Sequence, residues 1–499
     1  MKKSIFTALF SLILLLFSMQ AIGAEFKAGT AKGDITPPKS VPLWGQFHFR
    51  PSQGVESPLT ANALALESAG EKGSDSVIFV SADLLQISEG LLKEVQKEVA
   101  KKDPGINVQK IVLNGTHTHT APTLGKTYSA ALPKDPNLMG YTEIVDFLAV
   151  KIADLVVAAW KNRAPAKINW GLDFASVAHS RRIVYSDGSA QMYGKTDRPD
   201  FEQFEAVEDQ DVGTIFVWNA KDQLISVVIN VSCPSQVVEG RNMVNADYWH
   251  CVRNRLYKRF GKDLTVLGWC GAAGDLCPRT LYQQKAVNRM MKLRGLEPME
   301  EIARKLDRVV ASAYDVLKDR KITDVPLIHE VKEIELPMRI VSDEEYKNCL
   351  AVYKDIEKKI KDNPSKSPAE IAFMGLGWNK SVCDRYEAQK KNPHPMFKTR
   401  IHVLRLGNTA ICTNQFELYT DFGIQMKAKS PAEQTFVVQL VGNGTYLPTA
   451  KAVRGGSYSA IIQSNPVGPE GGQVLVDRTL DLINKIWTDQ KAEGKEVKK

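Results

Sequence analysis

The feature that most constrains this chain recurs along its length: short apolar runs that stop in a polar or glycine-rich turn. Runs over 61–68, 76–81, 108–113, 167–173, 212–219, 224–231, 264–269, 400–406, 409–413 and 435–441 read as strands. The turns that close them hold Asp83, the loop 114–122 with His117 and His119, Ser180 to Arg182, Ser232 to Gln236, Asn245 to Asp247, Gly274 with Asp275, Asn414 to Glu417, and Gly444 to Tyr446. Loops carried on a rigid scaffold are where sites are usually built. Helical spacing falls between several strands, at 88–100 (Leu91, Leu92, Val95 and Val99 on one face), 141–161, 247–260, 299–317, 417–428 and 474–487. No internal repeat and no clean linker divides the chain. The pattern predicts one large mixed α/β domain over 25–487, a β-sheet core flanked by helices. Residues 342–392 differ from their surroundings. They are rich in Lys and Glu, helical in pattern and broken by Pro364 and Pro368, which reads as a helical insertion covering one side of the core. Residues 488–499 read as a frayed polar tail.

Composition bounds the function classes. Hydrophobic content of 43% and charged content of 24% suit a soluble globular chain. A net charge of +8, spread over scattered lysines, gives no basic patch, so nucleic-acid binding is not expected. Residues 1–24 carry a positive start, an apolar run and small residues before Glu25, the pattern of a secretory signal peptide. A secreted or periplasmic location follows, with no transmembrane segment expected. Seven cysteines remain, an odd number, so at least one thiol is unpaired within the monomer. Cys270 and Cys277 are close enough in sequence to close a small loop, though most of the seven read as buried free thiols.

The loop 114–122 follows the short run Ile111 to Leu113 and holds two of the eight histidines. On an extended backbone His117 and His119 point the same way, so both can face one metal. The alternative is a polar loop whose histidines only hydrogen-bond.

In their order, several of these segments carry a resemblance. They are 28–38 around Asp34, 116–122 around His117 and His119, Asp211 to Gly213, Asn245 to Tyr248, and Gly271 to Asp275. So ordered, the chain resembles the neutral/alkaline (non-lysosomal) ceramidase family, zinc amidases that cleave the N-acyl bond of ceramide. The resemblance implies a zinc ion held by His117, Glu417 and Tyr446, with His119, Arg181 and Tyr458 as substrate-polarising and positioning residues. Two departures accompany it. Where the family has its second histidine ligand, in a His-Pro pair, this chain has Cys233 and Pro234. Cys233 is either a thiolate ligand, chemically sound for zinc, or a buried apolar-like residue; His250 is a possible substitute. Where the family carries a serine before the aspartate matching Asp247, this chain has Ala246, so hydrolysis would run through metal-bound water. The resemblance runs to roughly residue 482, so a counterpart of the family's C-terminal immunoglobulin-like domain is not expected. These departures argue against ceramide itself as substrate.

The leading expectation is an exported zinc-dependent hydrolase of an amide or N-acyl bond in a small-molecule or lipid-like substrate. Its metal ligands would be His117, Cys233, Glu417 and Tyr446. Two alternatives stay open: a hydrolase of another acylated target, such as a sugar or peptide, and a non-catalytic binding protein on this scaffold. Oligomeric state is not legible.

Overall fold

The computed structural model describes residues 25–70, 73–126, 131–372 and 374–496. The expected signal peptide lies outside the described residues. Eight strands form the first sheet: β1 (Glu25–Asp34), β2 (Thr60–Gly70), β3 (Gly73–Ala82), β4 (Ile111–Gly115), β5 (Ala164–Phe174), β6 (Asp211–Asn219), β7 (Leu224–Val231) and β8 (Thr265–Cys270). Across the sheet they run β8-β7-β6-β5-β1-β2-β3-β4. The β3/β4 and β7/β8 pairs are parallel and the rest antiparallel. A second sheet is built from β9 (Leu327–Pro337), β10 (Met396–Leu406), β11 (Thr409–Thr413) and β12 (Gln434–Val438), in that order.

The period of two along each strand decides how these sheets stack. In β3, Ile78 and Val80 pack under helices α1 (Glu89–Lys102) and α2 (Tyr141–Lys161), whereas Val77 and Phe79 face the second sheet. In β11, Ile411 faces the first sheet while Ala410 and Cys412 turn away from it. Strands covered on both faces read as nearly continuous apolar runs, which is the pattern seen in the sequence. Helices α3 (Tyr248–Phe260) and α4 (Pro298–Leu317) cover the rest of the first sheet. The insertion follows as α5 (Asp343–Asp362) and α6 (Gly375–Lys391), and then α7 (Thr420–Lys429) and α8 (Pro469–Glu496) cover the second sheet. The result is four layers, with Phe79, Trp269 and Phe436 meeting between the sheets at ring distances of 4.8 and 6.1 Å.

Two elements depart from the expected pattern. Residues 417–428 do not form one helix, because Glu417–Leu418 first pairs with Tyr446–Leu447 as a short parallel bridge. The helix starts only at Thr420, whose N–H donates to Asp275 Oδ1 at 3.0 Å. The last helix begins at Pro469 rather than 474, through two glycines that the sequence reading left in a loop. A Cβ on Gly471 would meet Val467 at 2.3 Å and one on Gly472 would meet Phe422 at 2.4 Å, so these glycines serve close packing. The same helix runs on to Glu496, past the expected end at 487.

The described residues of 342–392 are mostly helical, with a short helix at Pro368–Ala372 between α5 and α6. Ser342 and Glu345 form a capping box at the start of α5. Tyr346 and Tyr386 stack at 4.1 Å, and the Arg385 guanidinium donates to the carbonyls of Ile462 and Asn465. The pair is thereby fixed to the loop that carries Tyr458.

At the end of β3, Asp83 accepts two hydrogen bonds from Arg253 of α3, at 2.7 and 2.9 Å, and a third from the Thr116 hydroxyl at 3.1 Å. Both charged groups are buried, at 0% and 4% side-chain exposure. Removing one partner strands the other charge in the interior. Arg253→Met should therefore cost about 3–5 kcal/mol of stability in urea denaturation; a cost below about 1 kcal/mol would show that water reaches the pair.

Candidate functional site

The histidine loop leaves β4 at Gly115 and turns at once. His117 has φ of 71°, a left-handed conformation that costs strain in a β-flanking residue and is held only where the surroundings enforce it. They do so closely. Ser235 donates to the carbonyl of Thr116 at 2.7 Å, Thr118 and Thr120 donate to the carbonyl of Asn245, and Arg50 donates to the carbonyl of His119. The backbone is thus not extended as expected, yet both rings reach one place. Their Nε2 atoms lie 3.4 Å apart and their planes are at 89°.

His117 donates from Nδ1 to the carbonyl of Leu85 at 2.9 Å, which turns its Nε2 toward Glu417 Oε2, 3.4 Å away. Glu417 arrives on the short bridge to Tyr446, so the fold places these two side by side. The Tyr446 hydroxyl lies 3.2 Å from Arg181 Nη2 and 3.3 Å from the Tyr458 hydroxyl. Burial disfavours the Glu417 carboxylate, but His117 and Arg181 beside it hold its pKa below the usual range. Burial pushes the phenols of Tyr446 and Tyr458 up, so both remain protonated donors. Tyr458 sits between Ser457 and Ser459, both with positive φ, a second strained segment at the site.

Three expected residues take different roles. Cys233 is not at the site: its Sγ donates to the carbonyl of Val177 at 3.4 Å and lies in the apolar cluster with Tyr248 and Val252. Burial pushes its thiol pKa well up, which opposes the thiolate a metal needs. The turn that follows delivers Gln236 instead. Its amide nitrogen donates to His119 Nε2 at 2.7 Å while its carbonyl accepts from Arg181 Nη1 at 3.3 Å. Since His119 also donates from Nδ1 to the carbonyl of Gly45 at 2.9 Å, its Nε2 is an acceptor and not the oxyanion donor expected. Burial lowers the His119 pKa well below the ordinary value, keeping the ring neutral. Arg181 is 2% exposed and is not part of the cavity wall; it acts through Glu417 and Tyr446. Its other anchor is the carbonyl of Gly274 at 2.8 Å. His250 bonds Asn254 on α3 and Ala246 is in the core, so neither joins the group. All seven cysteines are free, and Cys270 and Cys277 are not bridged.

Sequence reasoning missed Gln236, Arg50 and Glu239, whose carboxylate lies 3.7 Å from His119 Nδ1. Gln236 stood in a recognised turn, but only the folded path of that turn shows which of its side chains enters the site.

His117, His119, Glu417, Tyr446 and Tyr458 open onto a cavity of about 630 Å³. Among the described residues no three His, Cys, Asp or Glu side chains are gathered as a metal cluster. The assembled donors are an imidazole, a carboxylate and a phenol. The 3.4 Å between His117 Nε2 and Glu417 Oε2 is the edge of a tetrahedron with bonds of roughly 2.1 Å, the length of zinc bonds to nitrogen and oxygen. With its proton on Nδ1, His117 turns a lone pair toward a carboxylate, and either a second proton or a cation must lie between them. Zinc therefore fits His117, Glu417 and Tyr446, with Cys233 excluded.

Asp275, which caps α7, is fully buried with one carboxyl oxygen unpartnered. Burial raises its pKa to about 6 against the bonds from Thr420. The folded state then keeps a proton that the unfolded chain releases, so this group's contribution to stability falls as pH rises from about 4 to about 6. Asp275→Asn, which stays neutral, should gain on wild type across that window in urea denaturation. A stability difference that does not change with pH would contradict the assignment.

No protein-family model matches the chain, and no curated protein matches its sequence. Solved structures do. The neutral ceramidase from Pseudomonas aeruginosa superposes with a TM-score of 0.64 at 14% identity, covering 92% of this chain and 75% of that one. A ceramidase complexed with C2 gives 0.63 at 12% identity, covering 92% and 76%. The family resemblance seen in the ordered segments is thus matched in three dimensions: the chain has the fold of the neutral ceramidases.

Proposed function

We propose that this chain hydrolyses an amide or N-acyl bond in the cavity at His117, with zinc held by His117, Glu417 and Tyr446. The observation that carries this reading is that His117 meets Glu417, 300 residues further along, and Glu417 pairs with Tyr446, at the wall of a cavity in a ceramidase fold. Bound there, the metal would acidify a water and polarise the substrate carbonyl. Arg181 keeps Glu417 ionised and fixes the Tyr446 hydroxyl. Tyr458, protonated and facing the cavity, supplies a donor to the developing oxyanion. His119, neutral, is held at Nδ1 by the Gly45 carbonyl and at Nε2 by the Gln236 amide, so it shapes the wall beside the reacting centre and fixes Gln236 there. The cavity volume of about 630 Å³ lies in the range of drug-sized ligands, roughly 300–1,000 Å³. That favours a compact acylated substrate over a lipid with two long chains. The signal-peptide pattern of residues 1–24 supports an activity outside the cytoplasm, secreted or periplasmic. No helix among the described residues is long and apolar enough to cross a membrane.

The test is turnover on matched N-acyl and O-acyl substrates. Wild type should prefer the N-acyl series; His117→Ala and Glu417→Gln should abolish it, and Cys233→Ala should leave it intact. Tyr458→Phe should lower kcat by roughly 10²–10³, the usual cost of one oxyanion donor. Thermal stabilisation by these compounds without any turnover would overturn the hydrolase reading in favour of a binding protein.

A further inference from the structure

The cavity has an outer wall that the chemistry above does not use. It comes from the helical insertion: Met374, Trp378 and Arg385 line the same space as His117, Glu417 and Tyr446. The Trp378 ring lies 5.2 Å from Phe47 and 5.8 Å from Tyr458, with Phe47 and Tyr458 5.1 Å apart. Tyr458 in turn lies 5.3 Å from Tyr446. Three mutually packed rings, joined through Tyr458 to Tyr446, therefore lead from the insertion to the reacting centre. Phe47 is 50% exposed although it lines the cavity, a large aromatic surface left open where a ligand would lie. Such rings offer broad apolar contact at little cost in side-chain freedom.

The wall is also rigid. Arg385, about two helical turns beyond Trp378, is tied to the carbonyls of Ile462 and Asn465, and Trp378 packs against Tyr458 from the same loop region. A fixed ring at the mouth sets a size limit that a mobile one would not.

We infer that Trp378 and Phe47 form the subsite for the apolar acyl group of the substrate, and that Trp378 determines which acyl lengths are accepted. This rests on the hydrolase reading above. The polar end of the cavity then holds the scissile bond, and the rings take one apolar chain leading away from it.

The experiment is calorimetric titration of the carboxylates from butanoate to dodecanoate, which mimic the acyl product and are not turned over, with the matching alkanols as controls. Wild type should show an optimum chain length. Trp378→Ala should weaken the best-bound carboxylate by about tenfold and move the optimum to longer chains, while Trp378→Phe keeps the optimum. Phe47→Ala, on a separate segment, should weaken binding in the same length-dependent way, and it carries the test if Trp378→Ala fails to fold. Length profiles identical to wild type in these alanine variants, or a loss equal at every length, would overturn the subsite. Carboxylates binding no better than alkanols would instead count against the hydrolase reading, while the shift in optimum would still decide the role of Trp378.

Discussion

The buried pair of Asp83 and Arg253 is the contact on which the site depends. Asp83 ends β3 and accepts from five donors: two from Arg253, two from Thr60 and one from Thr116. Its carboxylate thus joins the start of β2, the first residue of the histidine loop and helix α3. A charge so fully used by hydrogen bonds is tolerable in the interior, where an unpaired one is not. It also fixes the point from which the chain must turn into the strained backbone of His117. The strain is sustained because the carbonyls of Thr116, Asn245 and His119 are each held by a separate side chain.

A second pair of cations organises the opposite wall. Arg181 and Arg182 are neighbours whose side chains part company. Arg181 reaches Gly274, Gln236 and Tyr446. Arg182 pairs with Glu205 at 2.6 Å and donates to the carbonyls of Tyr458, Ala452 and Gly456. One cation sets the electrostatics of Glu417 and Tyr446, and the other holds the backbone of the loop that presents Tyr458. The phenols of Tyr446 and Tyr458 are thereby held by buried charge, with the short bridge to Glu417 adding to the placement of Tyr446.

Much of this was legible in the sequence. Strand and helix periodicity located most elements, because both sheets are covered and their strands carry apolar side chains on each face. His117 lies in the ordered segments, Glu417 and Tyr446 come from the resemblance those segments carry, and the fold puts Glu417 beside both. What failed did so for local reasons. Cys233 and Gln236 share one turn, and a turn's path, not its composition, decides which of them faces the site. Gly471 and Gly472 read as loop because glycine weakens helices, yet here they let α8 approach β9 and Phe422. The resemblance gives His119 a substrate-polarising role, and one strand cannot reveal that Gly45 takes its only proton.

We propose that His117, Glu417 and Tyr446 hold zinc without Cys233. Metal analysis of the purified wild-type protein, with His117→Ala and Cys233→Ala prepared in parallel, tests it most directly. One zinc per chain is expected in wild type and in Cys233→Ala, and its loss in His117→Ala. Zinc that is absent from wild type, or that depends on Cys233 and not on His117, would contradict it.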